Sequence, residues 1–168
     1  IAVEDGGYRL AWIGFAEDDP DRTVRAVAWA GVGEDYVEAL DVRWSDDEHG
    51  RGPTGTAIRS RKPCVARDIT ADPRFEPWRP AALRWGYRSS AAVPLLDRES
   101  CLGALNIYSE EVDAFDEEEL AILSELGADL AHGIAVHRTR RRDADLQERL
   151  REAEKLQAVG QLAGGVAH

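Results

Sequence analysis

The chain has 168 residues and a formal net charge of −11, from 32 acidic against 21 basic side chains. That length gives one ordinary domain plus some extra helix, with a core large enough to need no metal or disulfide staple. The acidic balance excludes a general nucleic-acid binder, which needs clustered positive charge to displace counterions.

Methionine is absent, and the last helical stretch meets no stop signal, so the sequence is expected to be a piece of a longer protein. No apolar run approaches the ~20 residues of a membrane span and no secretory leader precedes the domain, which points to the cytoplasm with no membrane in the visible chain. Cys64 and Cys101 sit among apolar neighbours, the setting of buried free thiols. A disulfide between them would need an oxidising compartment and a close pairing.

In chain order, Ile1 to Glu4 reads as the tail of a helix closed by Gly6-Gly7. Tyr8 to Phe15 is a strand by its aromatic and β-branched content. Both of its faces are apolar, Leu10 and Trp12 against Ala11, Ile13 and Phe15, so cover is expected on both sides. A polar turn, Glu17 to Asp21, leads to a second strand at Thr23 to Ala30, and the short connection makes the pair an antiparallel hairpin. Glu34 to Leu40 reads as a short helix and Val42 to Trp44 as a brief extended piece. Pro53 suits the first turn of a helix, where its missing N–H costs nothing. Cys64 to Ile69 is a third strand, Thr70 to Phe75 is turn chemistry, and Pro80 to Trp85 is a short helix. Ser89 to Leu96 and Leu102 to Tyr108 form a second hairpin around Asp97 to Ser100.

After Phe115 the chain changes character. Asp116 is an N-cap candidate, and Glu117 to Glu119 suit the positive end of a helix dipole. Leu120, Leu123, Leu130 and Ile134 follow a 3–4 alternation, with Gly127 at the intervening core position. No proline interrupts Asp116 to His168. A helix of that length, on the order of 80 Å, cannot be buried by so small a domain, and a parallel coiled-coil dimer is the natural cover. The apolar phase shifts between Leu146, Leu150 and Ala153 and the later Leu156, Val159, Ala163 and Val166, which marks a junction between a connector and an output helix. The basic run His137 to Arg142 lies inside this helix and reads as a solvated face.

Several chemical motifs fail on context. Gly50-x-Gly52-x-x-Gly55 matches a dinucleotide fingerprint on paper, but an acidic stretch precedes it instead of a strand and Pro53 follows its second glycine. The same segment lacks the lysine of a phosphate-binding P-loop. Asp46, Asp47 and Glu48 form a solvated run, and Asp68 and Asp72 flank a turn. His49, His132 and His137 have no metal-ligand spacing around them. His168 differs in setting: it follows an amphipathic helix whose last turns carry Gly160, Gly164 and Gly165, each costing about 1 kcal/mol against alanine. Neutral imidazole among small residues is an accessible nucleophile near physiological pH. By periodicity alone an ordinary exposed helix histidine is the stronger reading.

The stretch Leu156-Gln-Ala-Val-Gly-Gln-Leu-Ala-Gly-Gly-Val-Ala-His168 resembles the H-box of sensor histidine kinases, in the dimerisation and histidine-phosphotransfer helix. Residues 1–135 resemble a GAF domain, through Gly7 to Gly14, Gly50 to Ile58, Asp68 to Phe75, Ser89 to Leu95 and Gly103 to Tyr108. The resemblance implies an α+β fold, an antiparallel sheet with helices on both faces, followed by a long C-terminal coiled-coil helix. It divides the chain into a sensor at 1–135, a coiled-coil linker at 136–155 and the start of a phosphotransfer helix at 156–168. It makes His168 the autophosphorylation site of a full-length parent that supplies ATP, Mg²⁺ and an ATP-binding domain, with a response-regulator receiver domain downstream and a homodimer throughout. The chain itself holds no cofactor on this reading and does not phosphorylate itself. GAF domains bind varied small molecules, and the family places the pocket between the sheet and the helices from Gly52 to Arg88. Trp44, Phe75, Trp78 and Tyr87 are candidates for lining it, or plain core. The cysteine–histidine pair that tethers a bilin and the Asn-Lys-x-Asp type motif of cyclic-nucleotide binders are both missing. Two other readings stay open: a GAF-fold enzyme such as a sulfoxide reductase, needing reactive cysteines, and a ligand-free dimerisation scaffold.

Overall fold

The computed structural model describes residues 7–165; the expected helix tail at Ile1 to Glu4 falls outside them. The first hairpin pairs β1 (Leu10–Ala16) with β2 (Val24–Gly31), in a register of Leu10 to Gly31 and Ala16 to Val24 with a bulge at Ile13/Gly14. Its turn is closed by Asp19, whose carboxylate accepts from the Thr23 N–H at 2.9 Å and the Thr23 hydroxyl at 2.5 Å. These bonds hold the Asp19 carboxyl below its ordinary range.

Helix α1 (Glu34–Glu38) is shorter than its pattern predicts. It starts after Gly33, at φ 115°, where an added Cβ would overlap the Tyr87 hydroxyl. The extended piece at Val42 to Trp44 runs along the start of β2: Val24 donates to the Val42 carbonyl and Trp44 to the Arg22 carbonyl, both at 2.8 Å. The following loop is clamped by Arg59, whose Nη1 donates to the carbonyls of Trp44, Ser45 and Gly50 at 3.1, 2.6 and 2.6 Å.

Arg59 belongs to α2 (Pro53–Ser60), which has extended Gly52 as its N-cap and Pro53 at its first turn, as expected. Strand β3 (Cys64–Ala66) covers only half of the predicted six residues. Pairing with its neighbour ends at Ala66–Ser90, and Ile69 instead donates to the Arg88 carbonyl at 2.8 Å. A 3₁₀ turn at Pro73–Phe75 is capped by Asp72 accepting from the Arg74 N–H. Helix α3 (Arg79–Arg84) then leads into the second hairpin, β4 (Ser89–Asp97) and β5 (Ser100–Ser109). The five strands make one antiparallel sheet of order β2-β1-β5-β4-β3.

Side-chain alternation divides the sheet's contacts between its faces. Leu10 and Trp12 of β1, Ala104 and Tyr108 of β5 and Ala66 of β3 share one cluster with Tyr36, Val37, Ile58, Phe75, Trp78 and Ala82 from the helices and turns. The other face carries Ala91, Val93, Leu105 and Ile107, all buried. It meets α4 (Glu117–Gly165), whose buried residues are Leu123, Gly127 and Ala131. Gly127 lies over Val93, where an added Cβ would come within 2.8 Å of Val93 Cγ1. The start of α4 is capped as predicted, with Asp116 Oδ1 accepting from the Glu119 N–H at 2.8 Å.

The chain divides into two compact units between Ala131 and His132. The first is the sheet with its helices. The second is the helical stretch from His132 onward, in which Leu146, Leu150, Leu156, Val159 and Leu162 are exposed.

Glycine is required at Gly103, in the middle of β5. Its φ is +153°, and an added Cβ would overlap the Gly14 carbonyl oxygen of the neighbouring β1. Backbone cannot move aside as a side-chain tip can. Gly103→Ala is therefore expected to cost about 2 kcal/mol or more of unfolding free energy, read by urea denaturation.

Candidate functional site

A small cavity lies between the sheet and the first turn of α2. Ser90 and Ala92 of β4 and Asn106 and Tyr108 of β5 point into this layer by strand alternation. Gly52, Pro53 and Thr54 enter from α2, Leu40 and Val42 from the preceding segment, and Phe75 and Trp78 close it. Its volume is about 10 Å³, room for a single water.

The lining contains no charged side chain. Its polar groups are neutral and deeply buried. Thr54 Oγ1 donates to Asn106 Oδ1 at 2.8 Å, and Asn106 Nδ2 makes a long contact, 3.3 Å, to the Ala104 carbonyl. Ser90 is 3% exposed, and its Oγ has no hydrogen-bond partner among the described residues. Tyr108 is enclosed by aromatic rings, with Tyr36 at 5.7 Å, Phe75 at 6.3 Å and Tyr87 at 5.0 Å between centroids. Burial pushes the Tyr108 phenol upward. Burial also pushes Tyr36 well above its ordinary value and Tyr87 up to about 12. All three phenols are neutral at physiological pH.

Trp78 is a buried member of the core cluster that is also tied to the loops. Its Nε1 donates to the Asp41 carbonyl at 3.0 Å, and its ring meets Phe75 and His49 edge-on at 5.8 and 6.2 Å. Gly52 lets the ring approach the chain, since an added Cβ would overlap the six-membered ring.

Of the four aromatics singled out in the sequence, Phe75 and Trp78 line this cavity together. Trp44 lies elsewhere, on a surface groove with Ile58, Arg59 and Cys101. Its Nε1 donates to the Glu17 carbonyl at 2.8 Å, and Arg22 stacks over its ring at 4.6 Å. Tyr87 is core, with its hydroxyl donating to the Val32 carbonyl. Ser90, Thr54 and Asn106 escaped sequence reasoning because polar residues in strands and at helix starts ordinarily face solvent. The signal available was that Asn106 sits in a strand whose both faces are otherwise apolar.

His168 lies outside the described residues. His132 and His137 are exposed on α4, and no group of three or more potential metal ligands occurs among the described residues. The glycine-rich segment at Gly50 to Gly55 is a loop entering a helix, as its context implied. No helix among the described residues is long and apolar enough to cross a membrane.

Both cysteines are free and half-buried. Burial raises the Cys64 thiol, against the opposing pull of Arg74, whose Nη1 lies 3.3 Å from its sulfur. Burial likewise raises Cys101. Neither lines the cavity.

The chain belongs to the GAF domain family, whose model matches residues 1–135. No curated protein matches it. Among solved structures it resembles the free methionine-R-sulfoxide reductase of Neisseria meningitidis in complex with its substrate, at 24% identity, covering 83% of this chain and 74% of that one with a TM-score of 0.67. The GAF domain of an Acinetobacter phosphoenolpyruvate-protein phosphotransferase gives 17% identity, 82% and 77% coverage and a TM-score of 0.63. A domain assigned to a two-component sensor histidine kinase protein of Sinorhizobium meliloti 1021 gives 20% identity, 80% and 85% coverage and a TM-score of 0.59. These likenesses show a shared fold, found in proteins of several different kinds.

A raised thiol pKa leaves less thiolate at neutral pH, and thiolate is the reactive form. Iodoacetamide at pH 7.5 should therefore alkylate Cys64 and Cys101 more slowly in the folded protein than in urea. A folded-state rate above the unfolded one would restore the cysteine-enzyme reading.

Proposed function

We propose that this chain is the sensing part of a two-component sensor histidine kinase, a GAF domain whose state is passed along a paired helix to His168. The observation that carries this is the surface of the second unit. Leu146, Leu150, Leu156, Val159 and Leu162 are 58, 62, 73, 57 and 72% exposed on a continuous helix. Burying a leucine or valine is worth about 1.5–3 kcal/mol, so a run of five exposed ones on one element calls for a partner. A second copy of the same helix in a parallel coiled coil covers them, and the H-box-like sequence begins within that run, at Leu156.

On this reading residues 136–155 are the linker and 156–168 begin the phosphotransfer helix. A change in the sensor shifts the paired helices and with them the access of His168 to the ATP-binding domain of the parent. There the imidazole attacks the γ-phosphorus of Mg²⁺-bound ATP. A nitrogen–phosphorus bond forms, the bond to the bridging oxygen breaks and ADP leaves. The phosphoryl group then passes to a receiver domain. The sequence from Leu156 to His168, with its resemblance to an H-box, favours the kinase context, which is also that of the Sinorhizobium meliloti domain of the same fold.

In the full-length parent, radiolabelled ATP should label one histidine, and His168→Gln should abolish the label. Retention of the label in that variant overturns the assignment. For the chain itself, light scattering should give a dimer, and the double change Leu150→Glu with Leu156→Glu should give a monomer with an unaltered urea midpoint for the first unit. A wild-type monomer at high concentration would leave the exposed leucines without their partner.

A further inference from the structure

The sheet has two edges, and the chain treats them differently. At one edge β3 is three residues long, and Arg74 Nη2 donates to its Val65 carbonyl at 2.9 Å. A short strand with a carbonyl already taken offers little to an incoming chain. At the other edge the segment from Val42 to Trp44 covers the start of β2, with Val24 donating to the Val42 carbonyl and Trp44 to the Arg22 carbonyl. Beyond that cover, from Ala26 to Gly31, the outer side of β2 meets no hydrogen-bond partner among the described residues. The stretch reads Ala-Val-Ala-Trp-Ala-Gly. It has neither the charged side chain nor the proline that ordinarily blunts an edge. The bulge of the β1–β2 pair lies at its near end, opposite Ile13/Gly14. Ala28 to Gly31 follow in regular register, and all four are exposed.

Beside this edge lies a groove of about 340 Å³ between β2 and α1. Ala26 and Trp29 wall it on the strand side and Val37 and Leu40 on the helix side. Trp12, opposite Trp29 in the β1–β2 register, lines its inner end. A strand added to the edge would run about 4.8 Å outside β2, and alternate side chains would enter this groove. Charge decides what kind of strand fits. Helix α1 carries Glu34, Asp35 and Glu38, all exposed and none in an ion pair or side-chain hydrogen bond among the described residues. Glu38 lines the groove itself, and the cation there, Arg25, is already held by Glu17 at 2.7 Å. The rim therefore carries uncompensated negative charge. A second copy of this chain would bring the same three acids to the same rim, whereas a basic segment would be complemented.

We infer that the outer edge of β2 docks an extended, basic segment of a partner protein, which adds a strand to the sheet and places a large apolar side chain in the groove against Trp29. Backbone hydrogen bonds along Ala26 to Gly31 hold the segment, the groove selects its apolar residue, and the carboxylates of α1 select its basic flanks. The docking surface lies wholly on the first unit and does not depend on the assignment of His168.

The probe is an acetylated and amidated peptide, Lys-Lys-Val-Thr-Phe-Thr-Val-Lys-Lys, titrated into the 168-residue chain and followed by amide NMR. It should shift the amides of Ala26 to Gly31 saturably and slow hydrogen exchange at alternate residues among them. Methylating one alternating set of peptide nitrogens should abolish binding, and methylating the other set should not, because only one set faces the sheet. Glu38→Lys should weaken the peptide about ten-fold, and a peptide with glutamate in place of lysine should bind Glu38→Lys better than it binds the wild type. Glu38 is exposed, so the variant should keep the wild-type urea midpoint; if it does not, Glu38→Gln replaces it and should weaken the peptide in the same direction. No saturable shift at β2, equal binding of the two methylated peptides, or an unchanged affinity in the folded Glu38 variant would each overturn the proposal. So would exchange at Ala26 to Gly31 that slows with protein concentration in the absence of peptide, since a second copy would then hold the edge. None of these readouts involves His168, so a failed docking edge and a failed kinase assignment are told apart by which experiment fails.

Discussion

Strands β4 and β5 have no solvent face, and the rest of the first unit is arranged to satisfy that constraint. From Ser89 to Leu95 and from Gly103 to Ser109 every residue is buried. Side chains of alternate residues leave the strand on opposite sides, so each side needs its own cover. Helices α1 to α3 and their connecting loops supply one cover and the start of α4 supplies the other. The same two strands are thus both a wall of the cavity and the seat of α4. Ser90 and Ala91 are adjacent in sequence and belong to different layers.

This arrangement explains why the polar groups near the cavity are few and neutral. The interior between two covers is dry, and an ionised group there would need a partner in the same layer. The ion pairs lie outside instead, as with Arg51 and Asp46 at 2.9 Å or Arg25 and Glu17 at 2.7 Å, all largely exposed. Arg59 shows how a cation is handled near the core: it meets three backbone carbonyls, which carry partial charge and fix the loop before α2. The clamp matters for the cavity because that loop delivers Gly52 and Pro53 to it.

Much of the fold was legible because alternation and punctuation agree locally. The two hairpins, the helix starting at Pro53 and the cap at Asp116 all rest on short-range chemistry. What alternation could not supply was which strands adjoin and where pairing stops. β3 ends at Ala66 because its neighbour β4 begins at Ser89, one residue beyond the Ala66–Ser90 pair, and the next carbonyl, of Arg67, accepts from Asp113 instead; no local pattern records this. The candidate site was half legible. Phe75 and Trp78 were found as aromatics in the right segment, but Trp44 satisfies its indole on Glu17, 27 residues earlier, and Tyr87 satisfies its hydroxyl on Val32, 55 residues earlier. Such distant partners are invisible in sequence. The residues that give the cavity its character, Ser90 and Asn106, are polar and were hidden by the rule that polar strand residues face water.

The contact between α4 and the sheet is made at Gly127, where the helix backbone rests directly on Val93 without an intervening side chain. Helices that pack through interlocked ridges and grooves are held in discrete positions, and moving them means lifting large side chains out of their holes. A smooth contact has little corrugation. Here the start of α4 lies close against its sheet at Gly127 and is located by the burial of Leu123 and Ala131 on either side. The absence of one side chain at Gly127 thus sets the spacing between helix and sheet, and any larger residue there must lift the start of α4 off Val93.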